Sequence, residues 1–561
     1  MKHMLAILLA LALCFGLLPV QAEEAWADAT RIVLSDEGVT VNGEAAPTDK
    51  SAAVYTANDI VFYLAGQDFT YGEGSESEAH TQEEADTHTV VHITQPGTYV
   101  LSGSLSAGQV AVEIEDGKKD PDAVVTLVLN GVDITCTVAP AVIFYNVYEC
   151  CEADEETAAM TVDTAAAGAN VIIADDTVNN MTGSHVARIY KPDSVKLSED
   201  GTEVEEADKL HKYDAAFYSK RTMNVNGEQK GTGVLNINAD NEGLDSELHL
   251  TINGGIINIS SGNDGINTNE DNVSVTTVNG GSLTITVHGA TGEGDGIDSN
   301  GWLVINGGTL TSAACGFSGD AGIDSDKGIW LNGGEVCATG NMFDHVAGGD
   351  APYAVFSFDG RIKGGSTITL KTEAGETAAK WTPANDFSYL VISGQAVQPG
   401  TYTLWQGETQ LAYTGTDVFA FGGMGGMTPP DMPEGMEPPE LPEGFDFRQM
   451  EPPEGFEMPE GMERPEGMEK PEGMKEPEGM EKPEGMKEPE GFDPSKMVPP
   501  EGMELPEDME RPDDDGRGFG GGRGFGGRHG GFGSQQSGEQ NTLFVITEDG
   551  GTYSGVGAVQ E

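Results

Sequence analysis

The residues best able to do chemistry in this 561-residue chain are acids that recur in one fixed order. Four stretches carry it: Glu242-Gly243-Leu244-Asp245-Ser246, Asp264-Gly265-Ile266-Asn267-Thr268, Asp295-Gly296-Ile297-Asp298-Ser299 and Ala321-Gly322-Ile323-Asp324-Ser325. Stacked as neighbouring strands about 4.8 Å apart, they put Asp245, Asn267, Asp298 and Asp324 in one outward column, with Glu242, Asp264 and Asp295 in a second. Two ionised carboxylates at that spacing repel by about 3 kcal/mol at an effective dielectric of about 20, so a cation is expected among them. Calcium fits, because it takes carboxylate, amide, backbone and water oxygens in flexible geometry. The expected metal ligands are Asp245, Asp264, Asn267, Asp295, Asp298 and Asp324, with the Ser or Thr after each acid donating hydrogen bonds to hold the carboxylates. The competing reading is that Asp and Asn beside glycine are only good turn residues in ordinary solvent. Repetition in register favours the metal.

Trp302 and Trp330 stand four and two residues before Asn306 and Asn332, at positions that alternate outward on adjacent coils. Paired indoles there would form a flat platform for a sugar ring, the alternative being that they pack under a loop. Arg361-Ile362-Lys363 resembles the Arg-Ile-Lys motif of polygalacturonases, but Asn267-Thr268-Asn269 lacks the acid of their Asn-Thr-Asp, and no Asp-Asp pair accompanies it. His288-Gly289 precedes the best carboxylates instead of following them. Without a carboxylate pair, glycoside hydrolysis loses its acid and base, and no catalytic residue is assigned. A calcium-dependent lyase would need a Lys or Arg base beside the metal. Lys327 and Arg221 are nearest in sequence, and each reads first as a surface charge.

The elements that must position these residues follow from a repeat. Asn-Gly-Gly triplets begin at Asn253, Asn279, Asn306 and Asn332, spaced 26, 27 and 26 residues. Between them run short apolar alternations of period two bounded by glycine and asparagine, which are strands. Repeats of this length, built from strands that cannot bury a face alone, imply a solenoid. With about three strands per turn, the fold class is all-β, a parallel β-helix. Leu250, Ile252, Leu303, Ile305, Ile329 and Leu331 point inward, glycines make the corners, and the triplet asparagines form an amide ladder. Weaker coils precede these at 124–135 and 222–238, with a first strand and turn at 87–103. Acidic inserts near 73–86, 152–168 and 198–209 read as surface loops.

Four regions result: a leader over 1–22, a parallel β-helix over 23–421, a low-complexity segment over 422–540 and a final strand within 541–561 that returns to the helix. The leader has Lys2, an apolar run from Met4 to Val20 and a small residue, Ala22, before Glu23-Glu24, the pattern of a secretory signal. The mature protein is expected outside the cell, free or associated with its surface, and no later apolar run is long enough to span a bilayer. The low-complexity segment repeats Pro-Glu-Gly-Met, then Gly-Arg-Phe over 516–533. Lacking any core-forming pattern, it reads as a long disordered loop whose ends lie close together. Residues 431–515 hold 29 acids against 8 bases, and the whole chain has a net charge of -64. That balance excludes nucleic acid or an anionic surface as a partner bound by net attraction, so the Gly-Arg-Phe tract reads as linker. The five cysteines after the leader match no zinc spacing and read as buried small hydrophobes with at most one or two disulfides.

At the repeated "DGIN", "DGID" and "INGG" coils, together with 93–113, "TLVLNGVDIT" and the run from "DAAFYSK" onward, the chain resembles a family of secreted bacterial carbohydrate-binding proteins. Those are polysaccharide-lyase-like right-handed parallel β-helices that carry calcium and bind cellulose and pectic polygalacturonate. The resemblance covers most of residues 30–421 and implies a right-handed helix, calcium as cofactor and polysaccharide as partner, without lyase activity to be assumed. The family's metal positions map best onto Asp264, Asp295, Asp298 and Asp324; Glu242, Ala321 and Asn267 depart from the pattern, which implies fewer or weaker metal sites. The expected function is non-catalytic binding of a cellulose-like or uronate glycan. Its alternatives are a calcium-dependent uronate lyase and a structural surface adhesin.

Overall fold

The computed structural model describes residues 26–394, 397–418 and 540–560, all within one compact unit of the chain. The expected leader and nearly all of the low-complexity segment lie outside the described residues. The described chain is almost entirely β, its one α-helix being the single turn Gln82–Ala85. No helix among the described residues is long and apolar enough to cross a membrane.

Three parallel ladders dominate. The first runs through Ala169–Ile173, Met223–Gly227, His249–Ile252, Val275–Val278, Trp302–Ile305 and Ile329–Leu331. The second runs through Val178–Gly183, Val234–Ala239, Ile256–Ser261, Ser282–Val287, Thr309–Ala313 and Glu335–Gly340. The long strand Val125–Thr135 joins both, pairing through Val125–Leu129 with the first and through Asp133–Thr135 with the second, and is itself preceded in parallel by Gly97–Leu105 and Thr30–Leu34. The third contains Thr89–Ile93, Gly108–Glu113, Val142–Asn146, Ala215–Ser219, Glu242–Ser246, Ile266–Thr268 and Ile297–Ser299. Alternate residues of every ladder enter one shared core: Leu250, Leu303 and Ile329 from the first, Leu235 and Ile257 from the second, Leu244, Ile266 and Ile297 from the third.

The Asn-Gly-Gly triplets have a physical reason. The last glycine of each, at 255, 281, 308 and 334, has φ of 93°, 87°, 81° and 85°, a left-handed turn that glycine alone enters without strain. A Cβ on Gly281 would lie 2.6 Å from the carbonyl oxygen of Gly255 in the layer before. Beside these turns the amides chain together: Asn253 donates to Asn226 at 2.9 Å, and Asn279, Asn306 and Asn332 each donate to the preceding asparagine at 2.8 Å.

Parallel stacking gives way after Glu335–Gly340, which pairs antiparallel with Phe387–Ser393. There a second module begins with its own core, including Phe356, Leu370, Phe387, Leu404, Phe544 and Tyr553. Phe544–Ile546 forms a strand within this module, pairing antiparallel with Gly400–Gln406 and not with the three parallel ladders. The following strand Gly551–Ala558 pairs parallel with Tyr353–Ile362. The insert at 198–209 is more ordered than a loop: Lys196–Leu197 pairs with Val204–Glu206, and Lys209–Tyr213 pairs with Val186–Tyr190.

Candidate cation site in the acidic columns

The third ladder positions the acids. Asp245 lies opposite Asn267, and Asn267 opposite Asp298. Asp324 continues the line, its N–H donating to the Ile297 carbonyl at 2.7 Å and its carbonyl accepting from Ser299 at 3.3 Å. The second column is equally in register, since Gly243 donates to the Asp264 carbonyl and Gly265 to that of Asp295, both at 3.0 Å. Gly296 donates to Ala321, where the acid is missing. In the opposite direction the first column changes character abruptly, because Tyr218 stands opposite Asp245 and Ile143 opposite Tyr218.

Asp245 is 0 % exposed, and Glu242, Asp264 and Asn267 are 6–9 % exposed. Asp295, Asp298 and Asp324 are half-buried. Burial first, and neighbouring carboxylates second, push Glu242, Asp245, Asp264, Asp295 and Asp298 well above the ordinary carboxylate range. Asp324 rises to about 7, through burial and then the charge of Asp326.

Hydrogen bonds fix part of the cluster. The Asn269 amide donates to both oxygens of Asp245, at 3.1 and 3.0 Å, and the Asn267 amide donates to Glu242 Oε1 at 3.2 Å. Asp264 Oδ1 accepts the Asp295 N–H at 2.6 Å. Glu242 Oε2 and Asn267 Oδ1, however, are buried with no hydrogen-bond partner. Among the described residues no Lys, Arg or His pairs with Glu242 or with the six residues singled out from sequence. Lys212, whose charge acts on Glu242 and Asp245, is engaged by Asp214 at 2.9 Å. The two orphaned oxygens are donors of the kind a hard, oxygen-seeking cation takes, although among the described residues no three carboxylates of the columns bring an oxygen each within 4.8 Å of one another.

The hydroxyls do not hold the carboxylates as expected. The residue after an outward acid points inward, so Ser246 Oγ donates to the carbonyls of Arg221 and His249, and Ser325 Oγ to those of Gly301 and Gly328. Thr268 shares hydrogen bonds with Thr276 and Ser299. They fasten the corners between ladders. One acid escaped the sequence pattern: Asp344, 2 % exposed, accepts the Ser325 N–H at 3.1 Å. Burial, then the charge of Asp324, raises it to about 8. It lies in Asn341-Met342-Phe343-Asp344, without the acid–glycine order, and only its apolar neighbour Phe343 hinted at burial.

Trp302 and Trp330 both sit on the outward side of the first ladder, offset diagonally, since Trp330 pairs with Val304. The Lys327 ammonium lies 4.6 Å from the Trp302 ring centroid. Trp330 packs closely over Gly348, and its Nε1 is buried without a partner. Arg221 donates to the Lys220 carbonyl and to Asn146, away from the acids. Lys363 pairs with Asp386 at 2.6 Å in the C-terminal module. Cys150 and Cys151 form a disulfide, and the other three cysteines among the described residues, Cys136, Cys315 and Cys337, are buried. Burial pushes the thiols of Cys136 and Cys337 up to about 12, which makes them inert.

Fold and site together define an all-β protein of stacked parallel strands with acids buried in register along one ladder. The chain belongs to the carbohydrate-binding domain family: the model described as "Carbohydrate-binding domain-containing protein" matches residues 87–397. Among solved structures, it is similar to a polysaccharide lyase-like protein from C. thermocellum, determined as a gadolinium derivative. The two are 22 % identical with a TM-score of 0.32, over 57 % of this chain and 93 % of that one. No curated protein matches.

Proposed function

We propose that this is a secreted, non-catalytic polysaccharide-binding protein in which calcium stabilises the acidic columns. In this reading the three ladders close as the sides of a right-handed parallel β-helix, supported by their shared core and by the 26- and 27-residue step between triplets. The family match over 87–397 carries the binding of carbohydrate. The orphaned Glu242 Oε2 and Asn267 Oδ1 carry the cation.

Glu242, Asp245, Asp264 and Asn267 are the most buried candidates to hold calcium, with Asp295, Asp298 and Asp324 continuing the columns. Bound there, the ion supplies positive charge to carboxylates that otherwise repel, and it can also bridge to a uronate carboxylate. Trp302 and Trp330 are the candidate sugar-stacking indoles on the first ladder, each with a neighbour already against its ring, Lys327 over Trp302 and Gly348 against Trp330. A net charge of -64 opposes binding of an anionic glycan, so retention of polygalacturonate is expected to need the ion. The polymer partners proposed are cellulose-like or polygalacturonate-like glycans, met outside the cell or at its surface.

The test is pull-down of the mature protein on insoluble cellulose and with polygalacturonate, in calcium and in chelator, following unsaturated-uronate absorbance in the same tubes. Retention without product is the expected result. Product would replace the binding reading with a lyase. No retention under any condition would leave a structural adhesin.

A further inference from the structure

We infer that the outward face of the second ladder is a docking surface for a neutral, extended β-linked glucan, distinct from the acidic columns; this rests on the polysaccharide-binding reading above. The face forms a shallow groove of about 630 Å³, crossing strands from Val125–Thr135 to Ser282–Val287. None of its lining residues belongs to the third ladder.

Its chemistry sets it apart from the rest of the chain. In a protein of net charge -64, the groove lining contains a single ionisable side chain, Asp133, at one edge. The other outward positions are amides and hydroxyls, while the apolar lining residues Met181, Ile237 and Ile259 are turned into the core at 0–3 % exposure. Sugar hydroxyls pair with such neutral donors and acceptors. A polyuronate would find no cation there, a nucleic acid no basic side chain, and an apolar protein surface nothing to pack on.

The valences are free and already aligned. Asn258 donates to Asn236 and Asn236 to Asn180, both at 2.9 Å, which fixes the amide planes while leaving one N–H of each donor amide to face outward. Asn238, Ser260 and Thr286 lie opposite one another on successive strands, and among the described residues their side chains make no hydrogen bond to protein. Equivalent groups two strands apart repeat at about 9.6 Å, comparable to the disaccharide unit of an extended β-1,4-glucan. Because the amide line holds Asn180, Asn236 and Asn258 in place, those amides lose little side-chain freedom on binding.

Affinity electrophoresis in gels containing hydroxyethylcellulose, a neutral soluble β-1,4-glucan, tests this, with calcium-loaded polygalacturonate gels run alongside. Asn238→Glu and Thr286→Glu place a charge in the groove without touching the columns. Each is expected to weaken retardation by the glucan at least tenfold, with retardation by polygalacturonate unchanged and the same circular dichroism. Should either charged variant misfold, Thr286→Val, which removes only the hydroxyl, is expected to weaken glucan retardation severalfold. Wild-type retardation by the glucan that survives the folded variants overturns the docking face and leaves the binding function standing. Retardation of the wild type by polygalacturonate alone does the same. Failure of the wild type to bind either polymer overturns both.

Discussion

Asp298 illustrates how a single residue can be tested without disturbing the fold. Its column neighbour is already an amide, Asn267, so Asp298→Asn fits the space and removes one charge. In calcium this variant is expected to bind the ion at least tenfold more weakly, a loss of about 1.4 kcal/mol of linked stabilisation, read by calorimetric titration. In chelator its Tm is expected to equal or exceed that of the parent, because one repulsive carboxylate is gone. Proton linkage adds a second expectation. Asp324 and Asp344 are raised from 3.8 to about 7 and about 8. A raised acid contributes stability that is complete below its unfolded pKa and lost as pH climbs through the folded one. Metal-free protein is therefore expected to lose Tm between pH 5 and pH 8, while calcium, which competes with those protons, is expected to raise Tm more at pH 8 than at pH 5. Thermal scans at both pH values, with and without calcium, check it; an equal calcium effect at both would detach these acids from the ion.

At the scale of elements, the amide line from Asn226 to Asn332 joins successive layers at their exposed edge. Asn279 both donates to Asn253 and accepts from Asn306, at 2.8 Å each. Asn279→Leu loses both bonds and is expected to cost about 1–2 kcal/mol, seen as a lower urea midpoint at unchanged slope. The line was legible in the sequence because triplet spacing and period-two alternation agree on one phase. That phase also chose the core correctly, with Leu250, Leu303, Ile329 and Leu331 all 0 % exposed. The same parity turns Ser246, Thr268, Ser299 and Ser325 inward, since each follows an outward residue, and their hydroxyls accordingly meet the corner carbonyls and one another, not the carboxylates. What the pattern does not carry is pairing between distant segments. Tyr353–Ile362 and Gly551–Ala558 lie side by side, and no local signal links them. Asp344 reaches the columns through the same kind of long-range placement.

For the whole molecule, the C-terminal module depends on a segment remote in sequence. Phe544, Ile546, Tyr553 and Val556 are all at most 3 % exposed, and Phe544 and Tyr553 pack on Phe356 with ring centroids 5.6 and 5.4 Å apart. Each such side chain contributes roughly 1.5–3 kcal/mol by burial. Truncation after residue 539 is therefore expected to unfold this module, giving dye-binding apolar surface and aggregation; a truncated protein that stays monomeric with an unchanged Tm would contradict that. The triplet spacing also has a bearing on how such a molecule can change size. Excising residues 280–306 joins Asn279 directly to Gly307-Gly308 and so rebuilds an Asn-Gly-Gly corner, with Thr309–Ala313 and Ile329–Leu331 each inheriting the place of the strand one layer earlier. Length is thereby quantised: the chain can be shortened or duplicated by whole layers in single genetic steps while every remaining side chain keeps its face.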